Sequence, residues 1–262
     1  MTDRDTLLDI QAVSKTYVPD RKAALVALRD LTFSVANGEF LSLVGPSGCG
    51  KSTFIKLTCG LLRPTSGQIL LNGAPITEPI KDVGIAFQMP ILLDWRTVIQ
   101  NVLLPIEILE GKIRPHHREH ATRLLSLVGL AGFEDARPRE LSGGMQQRVS
   151  ICRALVHNPY FLLMDEPFGA LDSMTRDRMN KELLKIWEQA RKTIIFITHN
   201  ITEAVFLSDR VVVLTARPGT VREIVTIDAP RPRDPAGAAC RDIERHIHDL
   251  IGEDEDPGDG DR

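Results

Sequence analysis

The run Gly45, Pro46, Ser47, Gly48, Cys49, Gly50, Lys51, Ser52, Thr53 constrains this chain more than any other stretch. It satisfies G-x-x-x-x-G-K-[ST] in full, a pattern that works only with a strand before it and a helix after it. Both flanks comply. Phe40 to Val44 (FLSLV) is an apolar run of buried-strand length, and Ser52 to Cys59 reads as a helix closed by Gly60. The glycines let the backbone curl so that its N–H groups face inward around phosphate oxygens. The helix start adds the positive end of its dipole. In such a loop Lys51 brings charge to β- and γ-phosphates, and Ser52 offers a hydroxyl to Mg²⁺. A nucleotide site is therefore expected, built on an α/β sheet.

A second signal lies far downstream. In Phe161-Leu-Leu-Met-Asp165-Glu166 four apolar residues form a buried strand and two carboxylates follow at its carboxyl end. Ligands of open α/β sheets bind at that edge. Asp165 suits the acidic residue that holds Mg²⁺, and Glu166 suits a general base for an attacking water.

Composition narrows the classes. The chain has 262 residues, 43% hydrophobic and 26% charged, an ordinary globular balance with room for one large domain or two small ones. A net charge of −3 supplies no basic excess, so no nucleic-acid partner is expected. The four cysteines lack metal-ligand spacing, and Cys49 sits inside the phosphate loop, so reduced thiols are expected. The N-terminus carries Asp3, Arg4 and Asp5 without an apolar core, so no signal peptide is expected. No stretch approaches the roughly 18 apolar residues of a membrane span, and any work at a membrane would go through a partner.

The elements read in order. Leu8 to Val13 and Leu31 to Val35 alternate with period two, and Ser66 to Gly73 is a strand ending in an Asn-Gly turn. Val83 to Phe87 is a further strand. Residues 92–158 change to helical spacing, as at Leu124, Leu125, Leu127 and Val128. Strands return at Tyr160 to Met164, Thr193 to Thr198 and Arg210 to Leu214, with helices at Ser173 to Gln189 and Ile201 to Leu207. That alternation implies a mainly parallel sheet. Residues 252–262 are acidic, without a large apolar side chain, and read as a disordered tail.

Leu141-Ser-Gly-Gly-Met-Gln-Gln-Arg148 opens a helix whose apolar face runs through Met145, Val149, Cys152 and Val156. Ser142 is a natural N-cap, and Gly143 and Gly144 expose N–H groups at a positive dipole end. That is a second phosphate site in one chain. Here the sequence resembles the ATP-binding cassette (ABC) ATPases, in which L-S-G-G-x is the signature motif between the phosphate loop and the acidic strand. The resemblance implies a P-loop NTPase (RecA-like) core with an N-terminal antiparallel β subdomain and an inserted helical subdomain. The cassette would span residues 5–250, with core and β subdomain at about 5–88 and 159–225 and helices at about 89–158. It implies a head-to-tail dimer in which Ser142, Gly143 and Gly144 of one copy cap the γ-phosphate held by the other. It also implies ATP and Mg²⁺ as cofactors. Gln88 resembles the glutamine that touches Mg²⁺ and the attacking water, and His199 the histidine at the γ-phosphate. Tyr17 resembles the aromatic that stacks on adenine, and Gly169 to Asp172 the loop that signals across the dimer.

The stretches Met89 to Val102 and Thr198 to Gly219 resemble importer cassettes of the nitrate, sulfonate and taurine group, with Asp94 and Asn200 departing from that pattern. The implied role is the ATP-hydrolysing subunit of an importer for a small solute. A separate transmembrane permease and, indirectly, a substrate-binding protein would be its partners, at the cytoplasmic face of the cell membrane. An exporter subunit for lipids or lipoproteins, and a non-transport cassette acting on ribosomes or DNA, stay open as alternatives.

Overall fold

The computed structural model describes residues 5–18, 23–169, 171–190 and 192–252. In chain order its strands and helices begin with β1 (Thr6–Tyr17), β2 (Leu25–Ala36), β3 (Phe40–Val44), α1 (Lys51–Thr58), β4 (Ser66–Leu71), β5 (Ala74–Pro75) and β6 (Val83–Ala86). Then follow α2 (Val98–Val102), α3 (Leu104–Glu110), α4 (Pro115–Leu127), α5 (Gly143–Leu155), β7 (Phe161–Asp165) and α6 (Ser173–Ala190). The chain finishes with β8 (Thr193–Ile197), α7 (Ile201–Leu207), β9 (Arg210–Leu214), β10 (Val221–Thr226) and α8 (Ala238–Gly252). It divides into two compact units, Met1–Ile80 with Ile195–Arg262, and Lys81–Ile194, the division falling within β8.

The first unit carries a four-stranded antiparallel sheet ordered β2-β1-β4-β5. One face is buried, so β1 and β2 pair Leu8 with Val35 and Ile10 with Phe33, and the alternating pattern fixes the register. The β4–β5 turn places Asn72 and Gly73 at φ of 50° and 78°, the left-handed pair that a two-residue hairpin demands. The same unit holds the neighbours β10-β9-β3-β8. β3 and β9 run parallel and every residue of β3 and β8 is buried, which is why they read as continuous apolar runs. β10 adds an antiparallel edge to β9. Helix α8 covers a cluster of Val205, Val213, Val225, Ile227, Cys240 and Ile247. The sequence reading did not reach either β10 or α8. Gly252 closes α8 rather than opening a tail, and residues 253–262 lie outside the described residues.

In the second unit β6 and β7 pair in parallel and α2 to α5 form the helical part. Helix α2 starts with a reciprocal capping box between Thr97 and Gln100. Asn101 is fully buried and polar because it serves a loop. Its Oδ1 accepts the Leu93 N–H at 2.7 Å, and its Nδ2 donates to the carbonyls of Leu93, Arg96 and Thr97. Among the described residues no helix is long and apolar enough to cross a membrane.

Candidate nucleotide site and catalytic residues

In the first unit the phosphate loop joins β3 to α1. Lys51 Nζ donates to the carbonyl oxygens of Gly45 at 2.8 Å and Pro46 at 3.1 Å. The loop is thus curled around its own cation. Its first helical bond is Phe54 N–H to the Gly50 carbonyl at 2.9 Å, so the N–H groups before it have no partner within the helix. Ser47, Gly48 and Ser52 are exposed on the loop, while Cys49 is fully buried under it. Burial pushes the Cys49 thiol up against the pull of Lys51, so it stays protonated beside the site. Tyr17 ends β1, and its hydroxyl lies 3.3 Å from Thr53 Oγ1. Lys15, two residues before it in β1, holds its Nζ over the Tyr17 ring, 5.6 Å from the centroid.

His199 follows β8 in the same unit and is exposed. Its neighbours hold it from both sides. Thr198 N–H donates to Leu43 O at 3.3 Å, and the Thr198 hydroxyl donates to the buried Glu203 carboxylate at 2.7 Å. Asn200 caps α7 by accepting the Glu203 N–H at 3.1 Å. An asparagine serves this cap as well as an aspartate does, so the departure at Asn200 leaves the local structure intact.

In the second unit β7 delivers Asp165 and Glu166. Glu166 has φ of 45°, left-handed for a non-glycine residue, which costs about 1–2 kcal/mol. Such strain gathers at functional sites. Glu166 O accepts the Gly169 N–H at 3.0 Å. Gln88 comes to the same spot: a Cβ on Gly169 would lie 3.2 Å from Gln88 Nε2 and 3.7 Å from Glu166 Oε2. The structure therefore brings Gln88 and Glu166 together about Gly169. Asp172 accepts the Thr175 N–H at 3.0 Å, and that bond holds its carboxyl below the usual range. Ala170, between them, lies outside the described residues.

Ser142 and Gly143 are exposed at the start of α5, and Ser142 Oγ accepts the Met145 N–H at 3.3 Å. Nothing lies within 4 Å of a Cβ placed on Gly143, so that helix end is open to a ligand. Two residues of α5 were not singled out by sequence. Buried Gln147 donates to the carbonyl of Phe87 at 3.0 Å, tying the α5 start to the residue before Gln88. Arg153 donates to the carbonyls of Ile91 and Pro90 at 2.7 and 3.2 Å. Arg153 also borders a groove of 340 Å³ with Val83, Phe87, Leu104, Ile108 and His157. Burial pushes the His157 imidazole down, so that wall of the groove is neutral near pH 7.

A phosphate-loop nucleotide-binding protein is the class this fold and loop define. The chain matches the ABC transporter family over residues 28–169. A Methanocaldococcus jannaschii ABC transporter ATP-binding protein is 48% identical to it, covering 86% of this chain and 84% of that protein. The nitrate import ATP-binding protein NrtD of Synechococcus elongatus is 45% identical over 87% of this chain and 83% of its own length. The aliphatic sulfonates import ATP-binding protein SsuB of Bacillus cereus is 39% identical over 92% and 94%. Among solved structures, a dimeric ATP-binding cassette in a post-hydrolysis state with ADP and Pi aligns with a TM-score of 0.73 at 31% identity, covering 86% of this chain and all of that one. The chain belongs to the ABC transporter family of ATPases, and its fold is the P-loop NTPase fold of ABC cassettes.

Proposed function

We propose that this chain is the ATP-hydrolysing subunit of an ABC importer for a small solute, working as a head-to-tail pair on a separate membrane permease. One observation carries the reading. A complete phosphate loop and an open helix start at Ser142–Gly144 occur in a single chain, and one nucleotide has no use for two such sites from one subunit. The dimeric cassettes among its structural relatives support the pairing, and relatives named for nitrate and sulfonate import support the direction.

In this reading Tyr17 stacks on adenine. The loop N–H groups, Lys51 and Thr53 bind the phosphates, and the partner copy's signature closes the site. Ser52, Gln88 and Asp165 offer hydroxyl, amide carbonyl and carboxylate oxygens, the hard donors that Mg²⁺ takes alongside phosphate oxygens. When bound, that ion supplies charge neutralisation at the β- and γ-phosphates. Glu166 accepts a proton from the water that attacks the γ-phosphorus, ADP departs, and His199 stabilises the charge on the transferred group. Closure of the pair moves the permease and hydrolysis reopens it. In this reading the groove of Phe87, Leu104, Ile108 and Arg153 takes the permease, and the chain works at the cytoplasmic face of the membrane.

Reconstitution with a membrane permease of the nitrate and sulfonate importer group tests the reading. ATP-driven uptake of nitrate, an alkanesulfonate, taurine or a pyrimidine-like vitamin precursor, dependent on a binding protein, is the expected result. ATP-driven extrusion of lipid, or turnover indifferent to any permease, would overturn it.

A further inference from the structure

The turn between β9 and β10 has no role in the chemistry above, yet it forms the back wall of the phosphate loop. Arg217, although exposed, donates from Nε to the Gly48 carbonyl at 3.2 Å. Gly219 runs so close behind Cys49 that a Cβ there would lie 2.0 Å from the Cys49 carbonyl oxygen, a distance no side chain can adopt. On its other side Gly219 is bonded into β2. Its N–H donates to Ala27 O at 3.0 Å, and the Arg29 N–H donates to its carbonyl at 2.9 Å. Leu28, between those two residues, leans on the loop itself: a Cβ on Gly50 would lie 2.5 Å from Leu28 Cδ2. The turn is internally braced as well, Thr215 Oγ1 accepting the Thr220 N–H and donating to Pro218 O, both at 3.0 Å.

Three backbones are therefore stacked, β2, the turn and the phosphate loop, and the middle one carries a cation aimed at the loop. A peptide unit is planar, so holding the Gly48 carbonyl also holds the Cys49 N–H on its opposite edge, which donates to the Pro46 carbonyl at 3.3 Å and keeps the loop curled. Gly48 has φ of 79° and no side chain to restrict it, so an outside partner has the most to fix at this position. Donors fixed in advance bind an anion without the cost of ordering them afterwards.

We propose that Arg217 is a positioning residue for nucleotide binding. Its bond to the Gly48 carbonyl, with Gly219 as the spacer behind Cys49, holds the phosphate loop in its accepting curvature and so raises nucleotide affinity. The proposal rests on the phosphate loop being the nucleotide site. The loop grips ground state and transition state alike, so loss of the clamp raises KM and leaves kcat in place.

The test uses the full chain. Arg217→Ala is expected to raise the KM for ATP and the Kd for ADP about fivefold, the size of one net hydrogen bond of about 1 kcal/mol, with kcat kept within about twofold. Its unfolding temperature without nucleotide should match wild type. Arg217→Lys keeps the charge without the planar fork and should fall between the two. Wild-type KM and Kd in Arg217→Ala overturn the proposal, and so does a fall in kcat at unchanged KM. Lys51→Ala is the control. If it binds ADP as wild type does, the nucleotide site itself is misplaced and both readings fall; if it loses ADP while Arg217→Ala does not, only the clamp falls.

Discussion

The ammonium of Lys51 sits 2.8 Å from the carbonyl oxygen of Gly45, the first residue of the loop that Lys51 closes. The loop's main positive charge is thus held by the loop's own acceptors, among donors of its own making. An incoming phosphate replaces those carbonyls as the partner of Lys51, exchanging a neutral acceptor for an anionic one. Lys51→Ala should therefore weaken nucleotide binding by about 100-fold while the chain stays folded. Titration with a fluorescent ATP analogue measures this, and unaltered affinity would remove Lys51 from the site.

Glu166 combines a strained backbone with a place beside Gln88 at Gly169. Glu166→Gln keeps the shape and removes the base. Hydrolysis should drop by about 10²–10⁴-fold, the span of general-base effects, while ATP binding persists. With turnover blocked, the pair should stay closed, so size-exclusion chromatography with light scattering should report an ATP-dependent dimer. Wild-type turnover in this variant would assign the base elsewhere.

The phosphate loop and the Asp165–Glu166 strand end were legible in the sequence because each is a contiguous run whose flanks name the elements around it. The buried strands β3, β7 and β8 were legible for the same reason. Other features depend on residues far apart. Gln147 meets Phe87, and Gly219 meets Cys49, only after strands and helices have paired. The left-handed φ of Glu166 is imposed by the fold against the preference of the residue. Helix α8 did carry a signal, since Cys240, Ile243, Ile247 and Leu250 recur at spacings of three and four, but the Pro- and Arg-rich stretch before it masked its start.

Asn101 supplies four hydrogen bonds to the segment from Leu93 to Thr97, which carries exposed Trp95. Asn101→Ala would strand a buried amide and several carbonyls. The expected cost is about 3 kcal/mol, visible as a lowered midpoint in urea unfolding. A midpoint equal to wild type would mean that the segment is held by other contacts.

Ile108 is 73% exposed on the rim of the groove bordered by Phe87, Leu104 and Arg153. An apolar rim beside a groove suits the permease contact proposed above. Ile108→Asp should leave stability within about 0.5 kcal/mol, because a surface change away from buried networks costs little. Intrinsic ATP turnover should likewise be preserved. Co-purification with the permease should be lost. Permease binding at the wild-type level would move the docking surface away from this groove.

Burial with no offsetting partner pushes the Cys59 thiol up to about 12 from an ordinary value of 9.0. The folded chain keeps this proton over a range where the unfolded chain releases it. Between those two values the unfolded state binds fewer protons, so stability must fall as pH rises. The contribution of Cys59 is complete below pH 9 and disappears on the way to pH 12. The slope it adds is at most about 1.4 kcal/mol per pH unit. Cys59→Ala removes that slope and adds only a packing cost that does not vary with pH. The thiols of Cys49, Cys152 and Cys240 are also pushed up by burial, and they act equally in both proteins. Urea unfolding at intervals from pH 8 to pH 10.5 should show wild type losing stability faster than Cys59→Ala once pH 9 is passed. Parallel curves would mean that the Cys59 thiol meets solvent in the folded chain.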